Sequence, residues 1–364
     1  MARDLSEMSR EASWLEGVWT ERDTTPGEIE AHLREMLQLQ CAKTDACMAA
    51  RVLNLVVVVD REWRGEIYNR LEQVGRYHPS RTIFCTIEHG RSTIDVWASM
   101  STEHDPKRGE LALTRERIVL DLGPGHLKAL DTIVKPLVVS DIATLVWAPH
   151  GHSEAVDALL DLAQVVLLDS IMEPDPGGAV GRAEGLAERA YVVDLAWLRS
   201  TPWRERVAAS FDPLRWRDEL RKISAVTVRH RPDSGIVGLL FLGWLAARLG
   251  WEPGPLTAAN GSLLGKAHGR RQDVDMRLEP DPGMSAPGLS GVTVETASGM
   301  AVSLDRGPGG LTARKRLRDG REPSWTVLGA SRGEGGILGE GIRQALLRDP
   351  TYRPALEQAE AMLG

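Results

Sequence analysis

The sequence predicts an α/β protein of two domains, a doubly wound (Rossmann-like) domain followed by an α+β domain with an antiparallel sheet. The chain has 364 residues, more than a single hydrophobic core usually organises. Strand and helix patterns alternate up to about residue 172, whereas short strand patterns follow one another between residues 274 and 328. We therefore place the domains at residues 1–172 and 191–364, with a linker at residues 173–190.

The first domain is predicted from a helix and a buried strand that follow each other. Thr25-Pro26 opens a helix over residues 28–50, because proline is favoured in the first helical turn. Residues 52–59 are rich in valine, which is typical of a central strand buried on both faces. Residues 1–25 are polar and are a candidate flexible segment. The remaining elements are a helix at 62–77, strands at 81–87, 94–100, 118–122, 142–147 and 165–168, and a helix at 125–139 that Pro136 should kink or shorten.

The second domain is predicted to begin after a change in composition. Residues 173–185 are rich in proline, glycine and acidic residues, which favours a linker. Thr201-Pro202 then has the pattern of a helix start, and Asp319-Gly320 marks a hairpin between two strands. The other predicted elements are helices at 201–211, 235–249, 335–347 and 354–363, a strand at 223–228, and the short strands within 274–328.

Composition and charge limit the classes of function. The net charge of −7 argues against a general nucleic-acid binder, which needs an extended basic surface. The longest apolar run, residues 236–247, is too short to span a bilayer, and the first residues lack the apolar core of a secretory signal. Three cysteines, Cys41, Cys47 and Cys85, form neither a disulfide framework nor a metal-binding spacing. We therefore expect a cytoplasmic protein with reduced cysteines and no membrane or nucleic-acid partner.

The most informative feature is a cluster of large aromatic residues in a basic stretch. Five of the eleven tryptophans lie between Trp197 and Trp251, and residues 199–231 hold nine Lys or Arg against four acidic residues. Tryptophan and arginine are the residue types most enriched at interface hot spots. The candidate partner-binding residues are Trp203, Arg204, Trp216 and Arg217. Packing in a hydrophobic core is an equally strong alternative for the tryptophans, and we expect it for Trp244 and Trp251.

One turn has a partial resemblance to a phosphate-binding loop. Gly123-Pro124-Gly125 lies between a predicted strand and helix, but Lys128 stands where a dinucleotide-binding loop would need its third glycine. The candidate anion-binding residues are Gly125, His126 and Lys128, because amide groups at a helix start attract anions. The alternative is an ordinary turn, since glycine and proline serve tight turns in many proteins.

No catalytic or metal-binding motif accompanies these features. The sequence contains no G-x-S-x-G, no G-x-x-x-x-G-K-[ST], no H-E-x-x-H and no C-x-x-C pattern. His150, His152 and Glu154 follow a predicted strand, but their spacing fits solvent-exposed loop histidines better than a metal site. We therefore predict no catalytic residue, no metal site and no cofactor.

Several phrases in order carry a family resemblance. They are RVLNLVVVVD with HPSRTIFCTIE, GHLKALDTIVKPLVVSDIATLVW, DLAWLRSTPWRERVAASFD, GLLFLGWLAARLGW and the closing ILGEGIRQALLRDPTYRPAL. From about residue 51 onward, the chain resembles the glucose-6-phosphate dehydrogenase assembly protein family, also called OpcA. The resemblance implies a non-catalytic partner that binds glucose-6-phosphate dehydrogenase and promotes its assembly and activation, at the entry of the oxidative pentose phosphate pathway. Redox control through C-terminal cysteines is not implied, because no cysteine follows Cys85.

A second function class stays open beside this one. The turn at residues 123–128 and the basic stretch near Arg217 would also suit an enzyme or sensor that binds a sugar phosphate. A partner protein and a sugar-phosphate enzyme differ in turnover, which only the second should have.

Overall fold

The structure, a computed structural model, describes residues 14–42, 52–74, 80–103, 114–307, 309–328 and 333–364. The chain divides into two compact units, residues 1–167 (unit 1) and residues 168–364 (unit 2). The division lies close to the end of the predicted first domain.

Unit 1 is built on a largely parallel sheet. Its strands run in the order β1-β4-β5-β3-β2-β6-β7; the central strands β5, β3, β2, β6 and β7 are parallel, and β4 and β1 add antiparallel pairs at one edge. The strands are β1 (Trp14–Glu21), β2 (Leu53–Asp60), β3 (Ser80–Ile87), β4 (Asp95–Glu103), β5 (Thr114–Leu122), β6 (Ala143–Trp147) and β7 (Val165–Leu168). The helices are α1 (Pro26–Cys41), α2 (Arg64–Val74), a 3₁₀ helix (Pro124–Ala129), α3 (Leu130–Val134) and α4 (Ser153–Leu159).

The central strand and the first helix form where the sequence predicts them. Leu53 through Val59 are all buried in β2, as expected for a strand covered on both faces. Helix α1 begins at Pro26 behind a capping box, in which the Thr25 amide donates to Glu28 Oε2 at 2.9 Å. Helix α3 ends at Val134, before Pro136, as predicted. The predicted helix ends at residues 43–50 and 75–77 lie outside the described residues.

The described part of the candidate flexible segment is a strand, and one cysteine is buried in unit 1. Residues 14–21 form the edge strand β1, paired with β4 from Trp14↔Glu103 to Glu21↔Val96, so this part of the candidate flexible segment is ordered by a distant strand. Cys85 is a free, buried cysteine, and burial raises the pKa of its thiol to about 12. The Cys41 side chain and Cys47 lie outside the described residues.

Unit 2 contains a mixed sheet with helices from both ends of its sequence. The strand order is β10-β12-β13-β9-β14-β15-β16-β17, with β11 paired to β12. The strands of unit 2 are β8 (Tyr191–Asp194), β9 (Ile223–His230), β10 (Glu252–Pro253), β11 (Thr257–Ala259), β12 (Ser262–His268), β13 (Asp273–Pro280), β14 (Leu289–Thr296), β15 (Ala301–Gly307), β16 (Gly310–Arg316) and β17 (Ser324–Leu328). The α-helices are α5 (Pro176–Ala187), α6 (Leu195–Arg199), α7 (Thr201–Phe211), α8 (Leu214–Arg217), α9 (Gly235–Leu249), α10 (Gly333–Gln344) and α11 (Tyr352–Ala361), and 3₁₀ helices span Ser170–Met172, Asp218–Lys222 and Pro232–Ser234.

The predicted antiparallel sheet is correct for most of these pairs and wrong for one. Strands β13 and β9 are parallel, from Asp275↔Ala225 to Pro280↔His230. Helix α9 follows β9 directly and returns the chain across the sheet, which is the connection that parallel neighbours require. The Asp319-Gly320 hairpin joins β16 to β17 as predicted.

The structure also differs from the predicted linker at residues 173–190, where it forms helix α5. Asp175 caps this helix by accepting the Gly178 amide at 2.8 Å, and Pro176 occupies the first turn. Its buried positions, Ala179, Val180, Ala183 and Leu186, follow helical spacing. The proline and glycine residues that indicated a linker are thus the start signal and interior of a helix.

Helix α9 is the centre of unit 2. Most of its residues are buried, and it packs on β9 and against α11. Among the described residues, one segment, residues 232–249, is long and apolar enough to cross a membrane, with a mean hydropathy of 1.2, but 61% of it is buried inside the fold. A buried core helix passes the same test of length and composition, so this is weak evidence for a span.

The contact between α9 and α11 depends on Gly243. A Cβ atom at this position would lie 2.1 Å from the Ala355 carbonyl oxygen, which belongs to the backbone of α11. A methyl group therefore has to push the two helices apart, and overpacking of this kind costs about 1–3 kcal/mol.

We therefore predict that Gly243→Ala lowers the free energy of unfolding of unit 2 by about 1–3 kcal/mol, measured by urea denaturation. Gly181→Ala is the matched control, because Gly181 lies in helix α5 with no atom within 4 Å of an added Cβ. The control should be neutral or stabilising by up to about 1 kcal/mol, since alanine is the better helix former. A Gly243→Ala protein as stable as this control would contradict the close contact.

Arg199 connects distant parts of unit 2. Its side chain is 5% exposed, and its Nη1 and Nη2 donate to Asp169 Oδ1 and Oδ2 at 2.7 and 2.8 Å. Nη2 also donates to Glu334 Oε2 at 2.6 Å. The planar guanidinium binds the Asp169 carboxylate in a bidentate pair, and the carboxylates hold the pKa of Arg199 above its usual value despite burial.

A second buried cluster surrounds Asp194, at the end of β8. The carboxylate accepts hydrogen bonds from the Ser170 hydroxyl at 2.6 Å, the Ala196 amide at 2.9 Å and the Tyr352 hydroxyl at 3.1 Å. Burial is the largest influence on this group and raises its pKa to about 6, although the hydrogen bonds from Ser170 and Ala196 act in the opposite direction.

This raised pKa predicts a pH-dependent stability. An unfolded aspartate titrates near 3.9, so the protonated Asp194 stabilises the folded state fully below that pH, and this contribution is lost as the pH rises through about 6. Two pKa units correspond to about 3 kcal/mol. Asp194→Asn removes this titration. Between pH 4 and pH 7, the free energy of unfolding of the natural chain should therefore fall by about 3 kcal/mol relative to that of the variant. A difference that stays flat across this window would contradict the raised pKa.

Candidate functional site

The tryptophan-rich stretch divides into a buried part and an exposed part. Trp203 in α7 is 1% exposed and Arg204 is 8% exposed. Helix α7 begins at Thr201-Pro202 as predicted, and it turns Trp203 inward together with Val207 and Phe211. Two of the four predicted partner-binding residues therefore lie inside unit 2 and are not available to a partner in this conformation.

Arg204 is held inside by contacts with its own segment. Its guanidinium carbon lies 3.4 Å from the centroid of the Trp197 ring, a cation–π contact. Nε donates to Ser200 Oγ at 3.0 Å, and Nη2 donates to Thr201 Oγ1 at 2.9 Å. Burial lowers the pKa of Arg204 to about 10, so the group stays charged at neutral pH. These contacts fix α6 to α7, which is a structural role.

The exposed part is helix α8 (Leu214–Arg217), which we call the α8 surface. Leu214 is 81% exposed, the largest fraction among the exposed large apolar side chains of the described residues. Trp216 is half-buried and Arg217 is exposed, with Nε donating to the Asp212 carbonyl oxygen at 2.9 Å. The α8 surface thus combines an exposed leucine, a tryptophan and two arginines in four consecutive residues.

Lys315 of β16 orients Trp216. Its Nζ lies 4.4 Å from the centroid of the Trp216 ring and donates to the Ser210 carbonyl oxygen at 2.8 Å. Burial, with a smaller effect of Arg215, lowers the pKa of Lys315 to about 8. The ring is therefore pre-organised at the surface, which reduces the entropy lost when a partner binds it.

The remaining tryptophans of the stretch lie nearer the core. Trp251 is 7% exposed, as expected for a core residue. Trp244 is half-buried, with its ring centroid 5.5 Å from that of Phe241 in a tilted arrangement. The positions of Trp244 and Trp251 agree with the expectation that both pack in the core beside α9.

The predicted anion-binding turn has a local structural explanation. Gly123 lies so close to the Arg91 backbone that a Cβ atom would be 1.7 Å from the Arg91 carbonyl oxygen. The Gly123 amide donates to His126 Nδ1 at 3.1 Å, so the imidazole caps its own turn. Gly125 and Lys128 are exposed, and the 3₁₀ helix that follows has only six residues. The anion site at Gly125, His126 and Lys128 stays a prediction.

The two loop histidines lie at the carboxyl ends of the central strands of unit 1. The ring of His150 stacks on Trp63 with centroids 5.0 Å apart. His152 Nε2 lies 3.1 Å from Asp60 Oδ1, although the angle is not that of a hydrogen bond. Both histidines are half-buried, so the expectation from the sequence that they are solvent-exposed is wrong. In the described part of the chain, no group of three or more His, Cys, Asp or Glu is arranged to hold a metal ion.

This position in unit 1 is the point where the strand order reverses, between β2 and β6. Doubly wound sheets bind ligands there, and dinucleotide-binding members use a glycine-rich turn after the first strand. In this chain the turn after β2 reads Asp60-Arg61-Glu62-Trp63 and holds no glycine before helix α2 begins at Arg64. Burial lowers the pKa of His150, which favours its neutral form. These residues do not fit the pyrophosphate of a dinucleotide.

Sequence reasoning could not have found the Trp63–His150 stack, because 87 positions separate two residues that only the parallel pairing of β2 and β6 brings together. The one available signal was that both follow strands predicted to be central. The partner-binding role of Trp216 and Arg217 stays a prediction, and the sequence does not indicate one for Leu214.

The chain is thus a two-unit α/β protein whose second unit exposes an aromatic and basic surface suited to protein contact. Residues 72–184 match the family profile described as the glucose-6-phosphate dehydrogenase subunit N-terminal domain, and residues 190–356 match the one described as its C-terminal domain. Together the two matches span well over half of the chain. The chain belongs to the glucose-6-phosphate dehydrogenase assembly (OpcA) family.

Curated relatives carry the same family name. A protein of Synechococcus elongatus, provisionally named OxPP cycle protein OpcA, is 24% identical over 201 residues, which cover 54% of this chain and 45% of that protein. Its namesake in Nostoc punctiforme is 30% identical over 142 residues, covering 38% of this chain and 30% of the relative. The chain therefore spans less than half the length of these relatives in the matched regions.

Matches to solved structures are more distant. A dehydrogenase (MviM) from Clostridium difficile is 10% identical, with a TM-score of 0.45 over 85% of this chain and 97% of its own. A scyllo-inositol dehydrogenase from Lactobacillus casei is 11% identical, with a TM-score of 0.45 over 87% of this chain and 96% of its own. Similarities at this level carry no conclusion about function.

The different burial of Trp203 and Trp216 predicts different effects of truncation. Trp203→Ala should lower the free energy of unfolding by about 3–5 kcal/mol, because it leaves a cavity in the core. Trp216→Ala should cost clearly less, because its half-exposed ring leaves a surface gap that water fills. Urea denaturation of both variants measures this difference. Equal losses of stability would contradict the assignment of Trp203 to the core and Trp216 to the surface.

Proposed function

We propose that this chain binds glucose-6-phosphate dehydrogenase, promotes its assembly and activates it, without catalysing a reaction itself. The observation that supports this most is the match of two profiles described as subunit domains of that dehydrogenase, at residues 72–184 and 190–356. The relatives named OpcA are described as proteins of the OxPP cycle, which agrees with this proposal.

Two further observations favour a binding partner over an enzyme. The turn after β2, where a doubly wound domain would bind a dinucleotide, carries Trp63 and no glycine. The sequence also lacks the common nucleophile, phosphate-loop and zinc motifs. A chain of this composition has what an assembly factor needs, namely two stable cores and a docking surface.

The α8 surface is our candidate for the contact with the dehydrogenase. Tryptophan and arginine are enriched among residues that dominate binding energy, and Trp216 is held in place by Lys315 before any partner arrives. Leu214, 81% exposed, is an apolar group that a partner would cover. Of the predicted partner-binding residues, the proposal keeps Trp216 and Arg217.

Activation, in this proposal, follows from differential affinity. A partner can shift the dehydrogenase toward an active state only by binding that state more tightly than the inactive one. A partner with equal affinity for both states would form a complex and change nothing in the kinetics. We further propose that the encounter takes place in the cytoplasm and involves neither a membrane nor nucleic acid.

We expect a complex between the purified chain and the glucose-6-phosphate dehydrogenase of the same organism, detected by light scattering after gel filtration, with a raised kcat/KM of the dehydrogenase. Truncation of a hot-spot residue costs about 2 kcal/mol or more, so Trp216→Ala should weaken the complex by about thirtyfold. Affinity is measured by calorimetry, and the melting temperature of each variant is recorded beside it.

Leu39→Ser is the matched control for Leu214→Ser, because Leu39 is an exposed leucine, 56% accessible, in helix α1 of unit 1. We expect Leu214→Ser to weaken the complex and Leu39→Ser to leave it unchanged. Absence of any complex would refute the proposed function. A complex that both serine variants affect equally would refute only the assignment of the contact to the α8 surface.

A further inference from the structure

Unit 2 contains a cavity of about 480 Å³ whose lining shares only Arg217 with the α8 surface. Its floor is apolar, formed in part by Trp251 and Val274, both nearly fully buried. Five arginines line it: Arg217, Arg221, Arg248, Arg270 and Arg271. Of the residues that the structure describes, no aspartate or glutamate lines it.

These arginines come from separate elements that the fold brings together. Arg217 ends α8, Arg221 follows in the 3₁₀ helix Asp218–Lys222, and Arg248 lies in the last turn of α9. Arg270 and Arg271 occupy the turn between β12 and β13, which is closed by a hydrogen bond from the Gly269 amide to the Gln272 carbonyl oxygen at 3.1 Å. Tertiary structure therefore joins Arg217 and Arg221 of the basic stretch to three arginines that lie outside it.

The positive charge in the cavity is not neutralised by the described residues. None of the five guanidinium groups forms an ion pair with a described carboxylate. Within the described part of the chain, their one hydrogen bond runs from Arg217 to the Asp212 carbonyl oxygen. Other arginines of unit 2 are paired, for example Arg229 with Asp305 and Arg316 with Glu295. Five unpaired cations around one concavity, in a chain of net charge −7, create a local positive potential that favours an anion.

We propose that this cavity is a binding site for a small organic anion that carries at least two phosphate groups. The guanidinium fork matches phosphate oxygens in bidentate pairs, and each phosphate monoester carries about −1.5 to −2 charges at pH 7. Two such groups balance most of the charge of five arginines. The apolar floor at Trp251 and Val274 would contact the carbon skeleton that joins them.

The shape of the site favours a small molecule over a macromolecule. A volume of about 480 Å³ lies within the range of roughly 300–1,000 Å³ that is typical of ligand pockets. Nucleic acid would need a basic track that extends well beyond one cavity, whereas the chain as a whole is acidic. An acidic segment of a protein would offer carboxylates, which carry one charge each and leave more of the cavity unneutralised.

Titration calorimetry on the full chain without dehydrogenase tests this site, with pyrophosphate as the probe. We expect pyrophosphate to bind more tightly than orthophosphate, and its affinity to fall with salt. Each charge-assisted contact should be worth about tenfold in affinity, so Arg270→Gln combined with Arg271→Gln should weaken binding by about a hundredfold, and Arg221→Gln by about tenfold. Arg353→Gln is the control, because Arg353 is an exposed arginine of α11 that does not line the cavity and pairs with Glu357 at 3.4 Å.

Arg221, Arg270 and Arg271 are exposed, so these variants should keep the melting temperature of the natural chain. If the double variant is unfolded, the single Arg221→Gln decides. The proposal is overturned if pyrophosphate does not bind, if the variants bind it as the natural chain does, or if Arg353→Gln loses as much affinity. It is equally overturned if a polyglutamate peptide binds at the cavity and pyrophosphate does not. Because the dehydrogenase is absent, none of these results bears on the proposed function.

Discussion

The pairing of Arg199 with Asp169 and Glu334 is the constraint on which the rest of unit 2 depends. Asp169 lies 30 positions before Arg199 in the chain, and Glu334 lies 135 positions after it. Removing Asp169 should cost about 3–5 kcal/mol, because the Arg199 guanidinium left behind is buried and cannot regain its hydration. The early and late segments of unit 2 are therefore held together. Hydrogen bonds from Trp197 to Asp349 and from Tyr352 to Asp194 connect the same parts of the unit.

These contacts determine which aromatic and basic residues of unit 2 are buried and which lie at the surface. Trp203 and Arg204 lie directly after α6, so the closure that buries Trp197 buries them as well. Trp216 lies beyond Asp212 and Pro213, where the chain leaves the core. Residue type alone could not distinguish Trp203 and Arg204 from Trp216 and Arg217. A tryptophan beside an arginine packs in the core in the first case and lies at the surface in the second.

The parts of the fold that could be predicted are those in which local signals are unambiguous. Helices α7 and α9 begin and end where Thr201-Pro202 and a long apolar run place them, and β2 is buried as its valines indicate. Helix α5 was missed because Asp175-Pro176 with glycines fits both a turn and a capped helix, and only burial of its apolar face distinguishes them. The basic stretch near Arg217 indicated a possible phosphate site, but the sequence could not show that Arg248, Arg270 and Arg271 join it, because the fold brings them there from distant elements.

Arg217 belongs both to the α8 surface and to the arginine cavity. An anion in the cavity would therefore restrict a side chain that the proposed contact with the dehydrogenase also uses. If both proposals hold, the two binding events are coupled, and linkage requires the coupling to be reciprocal: the factor by which the anion changes affinity for the dehydrogenase equals the factor by which the dehydrogenase changes affinity for the anion. Its sign depends on whether the anion draws Arg217 away from the surface or fixes it in the orientation that the partner needs.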